Sequence, residues 1–166
     1  MAKKKRIILK TILIVAEGFC DKAFVDYLKS LYIKRSCGVT VKVKNAMGKG
    51  SIHVVRHTIR IREGFDVKAA FYDTDVPLPD GHRKTANGKG IRLIESNPCL
   101  EGLLLDILGK YVPHCCAECK ESFIPELAGK DPTEPDSYSI FTKDILEAKR
   151  GQVPELEQLL TLLEGE

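Results

Sequence analysis

The chain predicts an α/β protein: a parallel four-stranded sheet flanked by helices, with a helical C-terminal extension. Three observations predict it. Short β-branched apolar runs alternate with helix-period segments through the first hundred residues. The first run, Ile12-Leu13-Ile14-Val15-Ala16, is continuously apolar, as in a central strand covered on both faces. Beyond about residue 110 the periodic segments read as helices alone.

The elements follow in order. Residues 7–16 predict the first strand, and Gly18 allows a tight turn into a helix over 19–34, with Phe24, Leu28 and Leu31 at helical spacing. Residues 39–44 alternate Val with Thr or Lys, as a half-exposed strand does. Gly48-Lys49-Gly50-Ser51 reads as a loop whose serine caps the next element. Residues 52–62 are rich in β-branched side chains; as a helix they put Ile52, Val55 and Ile59 inside and line His53, Arg56, His57 and Arg60 along a second face. Residues 67–72 predict the third strand. Residues 76–90, polar and rich in Pro and Gly, read as a loop, and 91–94 as the fourth strand. Asn97 and Pro98 predict the cap and first position of a helix that runs to about residue 108. Residues 119–127 and 138–150 read as helices. A last short helix carries Leu156, Leu159, Leu160 and Leu163 on one stripe, which reads as core. The expected division is a core over 1–110 and a helical extension over 111–166 packed on the same domain.

Composition bounds the function classes. With 166 residues, 43% hydrophobic and 30% charged, the chain suits one globular domain, and no apolar run approaches a membrane span. Lys3-Lys4-Lys5-Arg6 precedes an apolar stretch interrupted by Lys10 and without a small-residue cleavage site, so the expected compartment is the cytoplasm. In a reducing compartment the six cysteines read mostly as small buried hydrophobes. Cys116-x-x-Cys119, beside His114 and Cys115, has metal-ligand spacing but lacks the second half of a structural zinc site. The net charge of +3 hides an asymmetry. Residues 27–62 hold nine Lys or Arg and no acid, whereas residues 118–166 hold twelve acids and five bases. A basic first half suits a polyanion such as nucleic acid, although it also describes a solvated surface.

The chemistry lies in the acids that end the strands. Glu17 follows the first strand, and Asp73 and Asp75 follow the third, so a parallel sheet would deliver all three to its carboxyl edge. Two residues apart in an extended segment, Asp73 and Asp75 would point the same way. Clustered carboxylates repel, so they share a proton or hold a hard cation such as Mg²⁺, with Mn²⁺ tolerated by the same oxygen ligands. Glu17 would complete that shell or act as general acid or base on a phosphate ester. The bland alternative is that these acids cap loops or pair with basic neighbours. Glu101, one turn into its helix, reads either as a further site residue or as a partner of the helix dipole. Lys49, His53, Arg56 and Arg60 are candidate nucleic-acid contacts, though Gly48-Lys49-Gly50-Ser51 is no Walker loop and phosphate contacts alone would not read sequence. Lys143 is a further candidate to approach the acids, at a position the sequence alone does not set.

Glu17-Gly18 after the first strand and Asp73-Thr74-Asp75 after the third resemble the Toprim domain of topoisomerases, bacterial primases, OLD-family nucleases and small RNA-maturing nucleases. Glu17-Gly18-Phe19-Cys20-Asp21-Lys22-Ala23-Phe24 is similar to the Glu-Gly-x-x-Glu-x-x-Tyr opening of RloB-like proteins. Ser96-Asn97-Pro98-Cys99-Leu100-Glu101 resembles their Ser-Asn-Pro-x-Phe-Glu signature. The motifs span about residues 10–108, and more loosely 138–149. Asp21 stands where the family has Glu, Leu100 where it has Phe, the family's Trp is absent, and residues 76–90 offer no helix signal where a Toprim sheet has a helix. The resemblance implies a Toprim-like sheet, Mg²⁺ bound by Asp73 and Asp75, and Glu17 as general acid or base. It also implies a nuclease tied to prokaryotic phage-defence and restriction loci, with a companion ATPase or defence protein as a partner. Two other classes stay open: a nucleic-acid-binding subunit whose metal site is structural or regulatory, and a phosphotransfer enzyme acting on a small nucleotide.

Overall fold

A computed structural model describes residues 8–34 and 37–166; the basic start at residues 3–6, the predicted strand start at Ile7, and Arg35 and Ser36 lie outside the described residues. Four strands, β1 (Lys10–Ala16), β2 (Val39–Asn45), β3 (Val67–Asp73) and β4 (Ile91–Ser96), form one parallel sheet in the order β2-β1-β3-β4. The predicted α/β architecture is therefore the observed one. The apolar run of β1 lies in the middle of the sheet, and residues 12–16 are fully buried. Its side chains alternate between two cores. Ile12, Ile14 and Ala16 face one core, and Leu13 and Val15 face the other. Each such fully buried aliphatic side chain contributes roughly 1.5–3 kcal/mol.

Helices cover both faces. Against the first core lie α1 (Phe19–Tyr32), α4 (Leu100–Ile107) and the C-terminal elements: α5 (Cys116–Phe123), α6 (Lys143–Arg150) and α7 (Pro154–Glu164), with 3-10 turns at Ile124–Leu127 and Pro135–Tyr138. Leu156, Leu159, Leu160 and Leu163 are all buried there, so the leucine stripe of α7 is core. Residues 111–166 share one core with the sheet. Against the second core lie α2 (Ser51–Arg60) and α3 (Asp80–Gly88). Among the described residues no helix is long and apolar enough to cross a membrane.

Five expectations need correction, most of them for a long-range reason. Residues 76–90 are not all loop, because α3 forms within them. It buries little beyond Ala86 and is anchored by Arg83, whose guanidinium forks onto Glu95 of β4 at 2.6 and 3.2 Å. A helix held by a tertiary ion pair carries no apolar stripe to read. Second, Ser51 does not cap α2. It is the first helical residue, and its Oγ donates to the Val76 carbonyl at 3.1 Å. Third, α2 is rotated from its expected setting. Ser51, Val54, Val55 and Thr58 are buried, while Ile52 and Ile59 flank the core half-exposed. Thr58 tolerates burial because its hydroxyl donates to the Val54 carbonyl at 2.8 Å. Fourth, Asn97 and Pro98 do not start α4. The helix begins at Leu100 with Cys99 at its N-cap position, and the preceding turn serves the neighbouring β3 loop instead. The 138–150 segment likewise splits, with α6 starting only at Lys143 behind a Thr142 cap.

Candidate acidic active site

The sheet register brings the ends of β1 and β3 together. Ala16 pairs with Phe71, and Asp73 pairs with Ser96 at the end of β4. Glu17, one residue past β1, accepts the Asp73 backbone N–H on Oε2 at 3.0 Å. Asp73 in turn accepts the Leu100 N–H on Oδ1 at 3.0 Å, at the start of α4. The turn at residues 96–98 holds the next residues. Thr74 N–H donates to the carbonyls of Ser96 and Pro98, Asp75 N–H donates to Pro98, and the Thr74 hydroxyl is paired with Asn97 Oδ1 at 3.2 Å. Gly102 lets α4 pack on this turn, since a Cβ there would sit 2.7 Å from Pro98 Cδ and 3.0 Å from the Asn97 carbonyl.

Asp75 does not follow the extended geometry expected of it. The strand ends at Asp73 and the chain bends, leaving Asp75 exposed with its Oδ1 on the Val76 N–H at 2.8 Å. The deeper carboxylate beside Glu17 and Asp73 is Asp21, one turn into α1. Its Oδ2 accepts the Gly18 N–H at 3.1 Å, and its Oδ1 is buried with no hydrogen-bond partner among the described residues. Burial, then the charge of Glu17, push Asp21 up to about 7, against the hydrogen bonds from the Gly18 and Asp21 backbone. Asp73 is pushed up to about 8 by burial first, then by Asp21, Glu17, Glu101 and Asp75 in falling order. The charge of Glu101, from the first turn of α4, therefore acts on both the buried Asp21 and the half-buried Asp73.

A cation from the C-terminal extension faces the same acids. Lys120 on α5 lines a cavity of about 240 Å³ with Glu101, Cys20 and Tyr138. Glu101 above all, and Asp73 more weakly, raise its pKa. Lys143 goes elsewhere: its Nζ sits 4.8 Å from the centroid of the Tyr32 ring, at the far end of α1. Sequence reading named Asp21 only as a motif variant and missed Lys120, because neither burial depth nor the docking of α5 has a local signature.

The basic candidates are spread from the loop after β2 along α2, which packs against β3 and β1 and runs away from this edge. Lys49 is exposed in the loop between β2 and α2, and Arg56 and Arg60 are exposed along α2. The rings of His53 and His57 stack with centroids 6.2 Å apart. Cys99, Cys116 and Cys119 gather on the opposite flank, where the Cys116 thiol donates to the Pro98 carbonyl at 3.7 Å and the Cys119 thiol to the Pro113 carbonyl at 3.3 Å, while Cys115 is exposed. Burial holds Cys99, Cys116 and Cys119 above the ordinary thiol value, so they stay protonated at neutral pH.

The site thus concentrates hard oxygen donors, with one orphaned, and more negative charge than one lysine offsets. That chemistry fits a divalent cation. Among the described residues, no three His, Cys, Asp or Glu side chains already stand around a common ion position. Comparison with protein-family models, curated proteins and solved structures finds no match to this chain.

Proposed function

We propose that this protein is a divalent-cation-dependent nuclease, a phosphodiester hydrolase of the Toprim, RloB-like kind, working at the carboxyl edge of its sheet. The observation that carries the reading is the buried carboxylate group. Asp21 and Asp73 are held near or above neutrality, and Asp21 Oδ1 has no partner. A fold keeps such a repulsive, under-satisfied arrangement at a site where something else supplies the missing charge. Glu17, Asp73 and Asp75 would hold Mg²⁺ or Mn²⁺, with Asp21 as an added oxygen donor. The ion would polarise the scissile phosphate and offset the charge that develops on it.

The chain's own residues have separable parts. Glu17 receives or returns the proton, since its Oε2 already lies 3.0 Å from the Asp73 N–H and so keeps a fixed place at the edge. Asp73 is positioned by the Leu100 N–H, which ties the site to α4 and to the 96–98 turn. Lys120 lowers the cost of ionising Asp73. Lys49, Arg56 and Arg60 supply positive charge along which a phosphate backbone is drawn in. The segments of Glu17-Gly18 and Ser96-Asn97-Pro98 that resemble RloB-like proteins meet at this one edge. That convergence supports the affiliation, and with it a role in phage defence beside a companion ATPase.

A second reading has one observation in its favour. No preassembled ion position is found among the described residues, which suits a nucleic-acid-binding subunit whose metal set is completed by a partner. The deciding experiment is cleavage of DNA and RNA, single- and double-stranded, by wild type and Asp73→Ala with Mg²⁺, Mn²⁺ or EDTA. Metal-dependent cutting that falls at least about a hundredfold in the variant is the expected result. Nucleic-acid binding without cutting, unchanged by metal, would transfer the weight to the subunit reading.

A further inference from the structure

Large apolar side chains stand in solvent on the same edge as the acids. Phe19 at the first position of α1, Met47 in the loop after β2, and Val76 just past Asp75 are 55%, 62% and 58% exposed. Their loops are fastened to one another. Gly48 N–H donates to the Glu17 carbonyl at 2.8 Å, and the Ser51 hydroxyl donates to the Val76 carbonyl at 3.1 Å. Isolated exposed apolar residues are ordinary, but three on stitched loops around a carboxylate group form an apolar rim to a charged centre.

Beside Phe19 the rim opens into a hollow of about 250 Å³, walled by Phe19, Ala23, Asn45, Thr133 and Pro135. Its volume falls below that of pockets for drug-sized ligands and suits a single planar ring system. Phe19 and Pro135 offer flat apolar surfaces for stacking. Asn45 accepts the Met47 N–H on its Oδ1, which leaves the side-chain NH₂ as a hydrogen-bond donor, while the Thr133 hydroxyl donates to Asp131 Oδ1 at 2.7 Å and leaves its oxygen as an acceptor. The charged residues at the hollow cancel, because Lys22 pairs with Asp26. Among the described residues that line it, a phosphate would find no free cation, whereas a neutral, flat, polar-edged group would find a stacking wall, the Asn45 donor and the Thr133 acceptor.

The geometry points to a nucleobase pocket, and we propose that an unstacked base of single-stranded or locally unpaired nucleic acid enters the hollow between Phe19, Asn45 and Pro135. The inference rests on the nucleic-acid reading above and sharpens it from nucleic acid in general to a strand whose bases are free. A base in an intact duplex has both faces stacked and cannot enter. Phe19 is two residues from Glu17, and Asn45 ends the strand paired with β1 at Ala16, so the pocket adjoins the carboxylates. Lys49 is exposed in the loop that follows Asn45 at the same edge, where an adjoining phosphate would find a cation.

The test is fluorescence anisotropy with labelled 12-nucleotide DNA and RNA, single-stranded and as blunt duplexes, in Ca²⁺ and in EDTA. The proteins are wild type, Phe19→Ala and Phe19→Tyr, with cleavage in Mg²⁺ followed in parallel. Phe19 is exposed, so neither variant threatens the fold. Wild type is expected to bind the single strand about tenfold more tightly than the duplex, Phe19→Ala to lose that preference, and Phe19→Tyr to keep it. Equal affinity for duplex and single strand, or a single-strand affinity untouched in Phe19→Ala, overturns the pocket. If Mg²⁺-dependent cutting persists in that case, the nuclease reading stands without it. No binding of either form in either condition overturns both.

Discussion

The molecule contains two clusters of acids that behave in opposite ways. At the carboxyl edge of the sheet, Asp21 and Asp73 are raised to about 7 and 8 by burial and by one another's neighbours, and one oxygen has no partner. On the C-terminal helices, Glu147, Glu157 and Glu164 close around Arg150, which donates to all three at 2.7–3.3 Å. There the Arg150 hydrogen bonds hold Glu157 below its ordinary value. Glu147 is lowered chiefly by the Tyr32 hydroxyl and then by Arg150. The residue types are the same in both places. One cluster contains a counter-charge and stabilises the packing of α6 on α7; the other lacks one, which is the ground for the cation proposed above.

The contrast predicts opposite pH responses. Asp21 and Asp73 bind their protons more tightly folded than unfolded, so their contribution to stability is complete below the ordinary value of 3.8. It is lost as pH rises through about 7 and 8. Glu147 and Glu157 are lowered, so their contribution is present above 4.5 and is lost as pH falls. Asp21→Asn removes the first effect while keeping an acceptor for the Gly18 N–H. Thermal unfolding without metal should show the variant more stable than wild type by about 2 kcal/mol or more at pH 8, the gap shrinking as pH falls and closing near pH 4. Added Mg²⁺ should narrow the gap at pH 8 by stabilising wild type more. A gap of the same size at both pH values would mean that the acids are not electrostatically strained.

Lys120 sharpens the comparison from the other side. It occupies the place that Arg150 holds in the second cluster, but without closing on any carboxylate within ion-pair distance among the described residues. Removing it as Lys120→Gln should make Asp73 harder to ionise. Cleavage at pH 7 is expected to fall about tenfold, with the acid limb of the pH–rate profile moved to higher pH and more Mg²⁺ needed for half-saturation. A lower rate with an unmoved profile would make Lys120 a packing residue of α5 instead.

Much of the second cluster's setting was legible in the sequence, and much of the first was not. The leucine stripe of α7 and the buried run of β1 are local patterns, and each formed where its period placed it. Glu17 and Asp73 could be brought to one edge because parallel strands carry their ends together. What stayed hidden depends on contacts between distant segments. The start of α4 moved because residues 96–98 turn to receive the Thr74 and Asp75 N–H groups. The depth of Asp21 follows from the packing of α1 against the C-terminal 3-10 turn, where the Tyr138 hydroxyl is paired with the Cys20 carbonyl at 3.4 Å. Cys99 joined Cys116 and Cys119 by the same kind of docking.

The smallest expected effect belongs to the satisfied cluster. Its three ion pairs are partly solvated, with Arg150 21% exposed and the glutamates 35–45% exposed, so screening limits what each contributes. They also share one guanidinium, whose planar fork lets a single side chain serve Glu157 through Nε and Nη2 and Glu164 through Nη1 and Nη2. Arg150→Ala should lower Tm by about 3 °C at low salt and by less in 0.5 M NaCl. Arg150→Lys should recover only part of that loss, because an ammonium cannot span two carboxylates in one plane. Neither variant should change metal-dependent cleavage. If Arg150→Ala impaired cutting as strongly as Lys120→Gln, the two acidic clusters would not be the independent structural and functional devices that their opposite protonation describes.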